Sequence, residues 1–218
     1  MKYIIMCGGH YGAWDTPRQL TEVQGEPIVA RTIRLLRQNG IDDIAISTDD
    51  ERFYRFGVPL LWHFNDFDTD GNGCWAEAFW PTDKPACYIM GDVVFSPEAV
   101  RTIVNTQTEG IEFFASSPPF SGLYIKKYAE PFAFKVMDQA RFRAAIDFVK
   151  ANEKTGIFTR RPIAWELWQV INGDSVKDIN FYNYVAINDY TCDIDSKSDA
   201  SLIERALAYD NDTRVFIP

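Results

Sequence analysis

The sequence predicts an α/β fold: an open, mostly parallel, twisted sheet with helices on both faces and a small antiparallel element in its second half. Two observations carry this. Short continuous apolar runs recur, "KYIIMC" (2–7), "DIAIST" (43–48) and "ACYIMG" (86–91) among them, and such runs mark strands buried on both faces. Segments of helical periodicity stand between them, and strands alternating with helices imply parallel pairing through right-handed crossovers.

Taken in order, "KYIIMC" is the first strand, and "EPIVARTIRLLRQNG" (26–40) is a helix with Pro27 at its start and Gly40 past its end. Ile28, Val29, Ile33 and Leu36 share one of its faces. "DIAIST" and "VPLLWHF" (58–64) follow as strands, then a helix from about Cys74 to Trp80, then the strand "ACYIMG". The pattern repeats once, with "SPEAVRTIVNTQ" (96–107) as a helix opened by Ser96 and Pro97 and "IEFFASS" (111–117) as a strand. Beyond Pro118 it changes: "GLYIKKYAEPFAFKV" (122–136) reads as two antiparallel strands. Two helices (138–152 and 161–172), a strand (181–188) and a last helix (199–209) complete the chain. No repeat, linker or low-complexity segment divides it, so 1–218 reads as a single domain, with about 118–180 as the portion where the pattern changes.

Composition narrows the function. With 218 residues and 46% hydrophobic content, one substantial core is within reach. The net charge of −9, without a basic cluster, argues against nucleic-acid binding. No apolar run approaches membrane-spanning or secretory length, which leads us to expect a cytoplasmic protein. Cys7, Cys74, Cys87 and Cys192 lack CxxC spacing, and His10 and His63 stand far apart, so reduced core thiols are preferred over a zinc site.

Three stretches carry chemistry. "MCGGHYGAWDTPRQL" (6–20) follows the first strand directly. In open α/β sheets that is where ligands bind. Gly8, Gly9 and Gly12 let backbone N–H groups approach an anion, and Arg18 adds a forked cation matched to phosphate. The spacing fits neither the dinucleotide fingerprint nor the P-loop. "GDVVF" places Asp92 at the end of a buried strand on the same edge. "TCDIDSKSDASLIERAL" sets Asp193 and Asp195 two apart, on one face if extended, with Asp199 at a helix start as a capping carboxylate. Carboxylates from distant strand ends can hold one Mg²⁺. Lys126, Lys127 and Lys135 are cations in an acidic chain; the first two read more readily as a solvated edge, and Lys135 stands between Phe134 and Val136. "RRPIAWELWQ" adds Trp165, Glu166 and Trp168, with core packing the commoner role for tryptophan.

These motifs together resemble the nucleotidyltransferase family that joins an NTP to a sugar phosphate or phospho-alcohol. "MCGG…PRQLTEVQGEPIVARTIRLLRQNGIDDIAIST", "GDVVF" and "CDIDSKSDASLIERAL" occur in the family's order along nearly the whole chain. The resemblance implies the family's Rossmann-like nucleotide-diphospho-sugar transferase fold. It implies that Cys7, Gly8, Gly9, Gly12, Arg18, Asn72, Gly73 and Asp92 bind the nucleotide. It implies that Asp92 and Asp195, or Asp193, hold Mg²⁺, and that Arg18, standing where the family usually has lysine, neutralises the α- and β-phosphates. Arg18, Asp92, Asp195 and Lys135 are thus the expected catalytic set; Lys126, Lys127, Lys135, Trp165 and Glu166 are the expected acceptor contacts. The family's usual arginine shortly after the glycines is missing, with Ala13, Trp14 and Asp15 in that region. The partners implied are a nucleoside triphosphate, CTP favoured, and a small phosphorylated acceptor, in surface-polysaccharide or envelope biosynthesis. A molybdopterin guanylyltransferase, a glycosyltransferase using a nucleotide-sugar and a silent nucleotide-binding module are the alternatives. The aromatic-rich second half could cover a homodimer interface as well as a core.

Overall fold

In the computed structural model the first strand, β1 (Lys2–Met6), is buried from Tyr3 onward. The structure describes residues 1–9, 14–64, 73–116 and 129–214, and for residues 197 and 209–214 the backbone alone. A single 3₁₀ turn, Arg18–Leu20, leads to the hairpin of β2 (Glu22–Val23) and β3 (Glu26–Pro27) and then to α1 (Ile28–Gln38). There follow β4 (Ile44–Thr48), a 3₁₀ helix Glu51–Phe56, β5 (Leu60–Trp62), a 3₁₀ helix Trp75–Ala78, β6 (Ala86–Met90), β7 (Val93–Val94) and α2 (Pro97–Asn105). The second half holds β8 (Ile111–Ala115), β9 (Pro131–Val136), α3 (Gln139–Asn152), α4 (Ala164–Asn172), β10 (Val185–Ala186), β11 (Cys192–Asp193) and α5 (Lys197–Arg214).

Seven strands form one sheet in the order β10-β8-β9-β6-β1-β4-β5. Every pairing is parallel except the two made by β9, which runs antiparallel to β6 on one side and β8 on the other. The mostly parallel α/β class read from the sequence is what the chain adopts. Of the two antiparallel strands expected over 122–136, residues 122–128 lie outside the described residues, and β9 lies inside the main sheet rather than in an element beside it; the separate antiparallel pairs among the described residues are β7 with β11 and β2 with β3.

Alternation along β9 shows how the two faces are covered, because successive side chains point to opposite sides. Phe134 meets Phe142 of α3 (5.7 Å between ring centroids) and stacks on Phe113 of β8 (4.4 Å). Its neighbour Lys135 points the other way, to the end of α2. The α3/α4 face is thus an aromatic core, in which Phe79, Tyr88, Phe142, Phe113 and Trp165 touch edge to face or stack.

Capping follows the residues. Ser96 Oγ accepts from the Ala99 amide with Pro97 next in line, which opens α2 where the sequence places it, and Asp138 does the same for α3 through Arg141. Two expectations shrink. The helix expected at 74–80 is a four-residue 3₁₀ turn, and the strand expected over 181–188 pairs only at Val185–Ala186, where it meets the edge of β8.

Candidate active site

The site is built at the carboxyl ends of β1 and β6. Cys7 continues β1, its amide donating to Ser47 O (2.8 Å) and its carbonyl accepting from Thr48 Oγ1 (3.1 Å). Beside it the Gly91 amide donates to Met6 O at 3.1 Å. A Cβ on Gly91 would stand 2.3 Å from Met6 O and 2.8 Å from Cys7 Sγ, so only glycine lets the two strand ends approach this closely. The next residue, Asp92, is thereby set beside the glycine loop. Burial pushes the Cys7 thiol well up, and the nearby Asp92 carboxylate adds to the effect.

The late segment is tied to the same point. β11 pairs with β7, and the Ile194 amide donates to Asp92 O at 2.9 Å, which delivers Asp195 next to Asp92. Asp199, the third residue of α5, accepts from the amides of Asp195 and Ser196 (2.9 Å each). It is the helix-start carboxylate expected from the sequence, and it fixes the backbone that carries Asp195.

Arg18 reaches into this junction from the 3₁₀ turn after Pro17. Its guanidinium donates through Nη2 to Asp92 Oδ2 (2.7 Å) and through Nη1 to Asp195 Oδ1 (2.7 Å) and Ile194 O (2.9 Å). The side chain is 8% exposed, against 17% for Asp92 and 43% for Asp195. Three positions from distant parts of the chain therefore meet through charge-assisted bonds.

A further carboxylate joins them that the sequence analysis missed. Glu130 is buried, its amide bonded to Ser116 Oγ and its carbonyl to the Ser116 amide (2.9 Å each), at the carboxyl end of β8. Carboxylate oxygens of Glu130, Asp193 and Asp195 lie within 4.8 Å of one another. Asp92 stands apart from that trio, linked to Asp195 by the guanidinium between them. Nothing in "AEPF" signals a site: Glu130 is brought in by the reversal of chain direction at β9.

Gly8 and Gly9 follow Cys7, half-buried, Gly9 with φ +96°. Gly73, also at positive φ, accepts from Arg161 Nη2 at 2.8 Å, so the segment before α4 holds this residue expected to bind the nucleotide. Gly12, Asn72, Lys126 and Lys127 lie outside the described residues.

Three expected acceptor contacts are corrected. Lys135 is buried opposite Cys87 and Glu112, near the amino ends of β6 and β8, with Nζ donating to Val104 O (3.0 Å) and Thr106 O (2.7 Å). It closes the end of α2 at the sheet edge remote from Asp92, because β9 runs opposite to its neighbours. Trp165 is buried among Phe113, Phe181 and Tyr184, its Nε1 donating to Ala129 O (3.1 Å), so it supports the residue before Glu130 rather than walling a pocket. Glu166 is buried and accepts from Arg160 Nε (2.6 Å) and the Ile163 amide (3.0 Å).

Comparison with known proteins agrees with this architecture. A family model described as "MobA-like NTP transferase domain" matches residues 3–146. A 3-deoxy-manno-octulosonate cytidylyltransferase of Anaeromyxobacter dehalogenans (strain 2CP-1) is 25% identical over 130 residues, covering 56% of this chain and 54% of the relative. The chain thus spans about half the length of the curated relatives it matches. Among solved structures, a candidate glucose-1-phosphate thymidylyltransferase of Bacillus anthracis, in complex with a sucrose, superposes with TM-score 0.58 at 18% identity, covering 96% of this chain and 95% of that one. The inositol-1-phosphate CTP transferase of T. maritima gives 0.52 at 13% identity, covering 94% and 96%. At these identities the structures show the fold alone. On the extent of the family match, and on the sheet that carries it, the chain belongs to the family of MobA-like NTP transferase domains.

Proposed function

We propose that the protein transfers a nucleotidyl group from a nucleoside triphosphate, CTP favoured, to the phosphate of a small acceptor, a sugar phosphate or phospho-alcohol, with Mg²⁺ as cofactor. The observation that carries this is the convergence of Arg18, Asp92 and Asp195 where β1 and β6 end beside the glycine loop. The name of the cytidylyltransferase relatives favours CTP as the donor.

The donor set suits a hard divalent ion. The candidate ligands are all carboxylate oxygens, and a cationic group already lies between two of them. Asp92 and Asp195 would hold Mg²⁺, with Asp193 and Glu130 beside Asp195. Bound there, the ion supplies positive charge for the oxygens of the reacting phosphates.

The residues of the chain do the rest by alignment. Gly8 and Gly9 offer backbone N–H groups to the triphosphate, and Arg18 neutralises its α- and β-phosphates. An acceptor phosphate oxygen attacks the α-phosphorus in line; that P–O bond forms as the bond to the β-phosphate oxygen breaks, and pyrophosphate leaves. The chemistry needs two anions held in register and no side-chain nucleophile.

The test is a thermal-shift screen of the purified protein with CTP, UTP, GTP, ATP and dTTP, each with and without Mg²⁺, followed by pyrophosphate release over candidate phospho-acceptors. A Mg²⁺-dependent rise with one triphosphate, and pyrophosphate release from it, supports the reading. Rises with nucleotide-sugars alone would replace it with glycosyl transfer, and no rise with any nucleotide would leave only the fold.

A further inference from the structure

We infer that Arg18 is a tethered stand-in cation: in the free protein its guanidinium occupies the position between Asp92 and Asp195, so that guanidinium and divalent metal exclude each other there. This rests on the reading of those two carboxylates as metal ligands.

The geometry is specific. One planar fork spans both carboxylates, Nη2 to Asp92 and Nη1 to Asp195, each at 2.7 Å. A lysine has a single ammonium and meets such a pair as a point charge, without the fork's fixed geometry. Nη1 also holds Ile194 O at 2.9 Å, and Ile194 is the residue whose amide binds Asp92 O. Arg18 is thus fastened to the backbone hinge that joins its two partners. It is nearly buried, where a charge is retained only if it is compensated.

Electrostatics explains why a stand-in is wanted. Carboxylate oxygens of Glu130, Asp193 and Asp195 lie within 4.8 Å of one another, with Asp92 across the guanidinium from Asp195, and carboxylates so placed raise one another's energy unless a cation lies among them. The guanidinium supplies that cation when no metal is bound and keeps Asp92 and Asp195 near one another. Its residence also blocks the approach of a bare ion between them. A phosphate chain offers Arg18 other oxygens of matching geometry. Arrival of the triphosphate therefore draws the guanidinium off the carboxylates and frees them together. Arg18 is in this sense a positioning residue for Asp92 and Asp195, as well as a phosphate contact.

The test reads metal binding without turnover. Mn²⁺, as a paramagnetic probe, is titrated by electron paramagnetic resonance into the nucleotide-free wild-type protein, R18Q, R18K and the double variant R18Q/D92N. Far-UV circular dichroism and a cooperative melt first establish that each is folded. The expected result is that R18Q binds Mn²⁺ at least about tenfold more tightly than wild type. R18K is expected to lie between them, and D92N in the R18Q background to abolish the gain. Mn²⁺ should also raise the melting temperature of R18Q by more than it raises that of wild type.

A merely structural arginine predicts the reverse, weaker binding once the site is loosened. Equal Mn²⁺ affinity in wild type and R18Q, or a gain that survives D92N, overturns the stand-in role while leaving Asp92 and Asp195 as ligands. Absence of Mn²⁺ binding in all four folded proteins overturns the metal reading with it. Should R18Q fail to fold, R18K decides: affinity equal to or below that of wild type overturns the inference, and a rise supports it.

Discussion

The Gly91 amide lies 3.1 Å from the Met6 carbonyl, and no side chain fits on Gly91 without meeting that oxygen. Backbone blocks the space, so the clash cannot be relieved by a rotamer change. Gly91→Ala is expected to cost about 1–3 kcal/mol of stability, as overpacking does. Urea denaturation measures it, and because Asp92 rides on the displaced residue, metal-dependent turnover should fall in the same variant. A Gly91→Ala protein as stable and active as wild type would contradict the close approach.

Asp92 and Asp195 share Arg18 but not exposure, 17% against 43%. Losing Asp92 removes compensation from the more buried side of the guanidinium, where water cannot replace it, whereas Nη1 keeps Ile194 O when Asp195 is lost. D92N should therefore lower the melting temperature more than D195N, although both should abolish Mg²⁺-dependent pyrophosphate release. Paired melts on the two variants decide this; a larger loss for D195N would reverse the ranking.

Lys135 gives a prediction that separates structure from catalysis. Its ammonium satisfies the carbonyls of Val104 and Thr106 at the end of α2. Lys135→Met is expected to cost about 1–3 kcal/mol, the penalty for leaving such acceptors without their donor. The KM for acceptor should not move. A raised KM at unchanged stability would restore Lys135 to the acceptor site.

His63 sits beside the Trp80 ring, 5.7 Å between centroids, and burial holds its pKa below the usual histidine value despite the opposing pull of Glu77 and Asp49. The unfolded chain then takes up the proton before the folded one does. Stability is thus full above about pH 6.5 and declines as the pH falls from there through the folded pKa. Melting temperatures between pH 7.5 and 5 should show this decline, and His63→Asn should flatten it. An equal slope in the variant would place the acid sensitivity elsewhere.

The sequence made the sheet legible where strands are buried on both faces. Tyr3–Met6, Ile44–Ile46 and Ala86–Met90 are apolar because they are buried within the sheet, and their runs say so directly. Motif order led to Arg18, Asp92 and Asp195, and the structure brings all three to one junction. What escaped depended on direction and on distance along the chain. "FKV" marks Lys135 as a strand residue, but not that its strand runs backwards, which decides the sheet edge its ammonium reaches. Glu130 stands in an unremarkable Glu-Pro step and matters only because β9 enters between β6 and β8. Two-residue strands such as Cys192–Asp193 offer no periodicity to read.

The placement of β9 has a consequence for biogenesis. β6 is complete at Met90, yet the strand that covers its open side begins only at Pro131, and β8 waits for the same strand. During synthesis the β9-facing edge of β6 therefore lacks its native partner while some forty further residues are made. Nascent chains stalled before Pro131 should be the species most prone to self-association and to capture by chaperones. Release of β9 is the step that joins β8 to β6, before β10 adds at the far edge, and it carries Glu130 into the site as it does so.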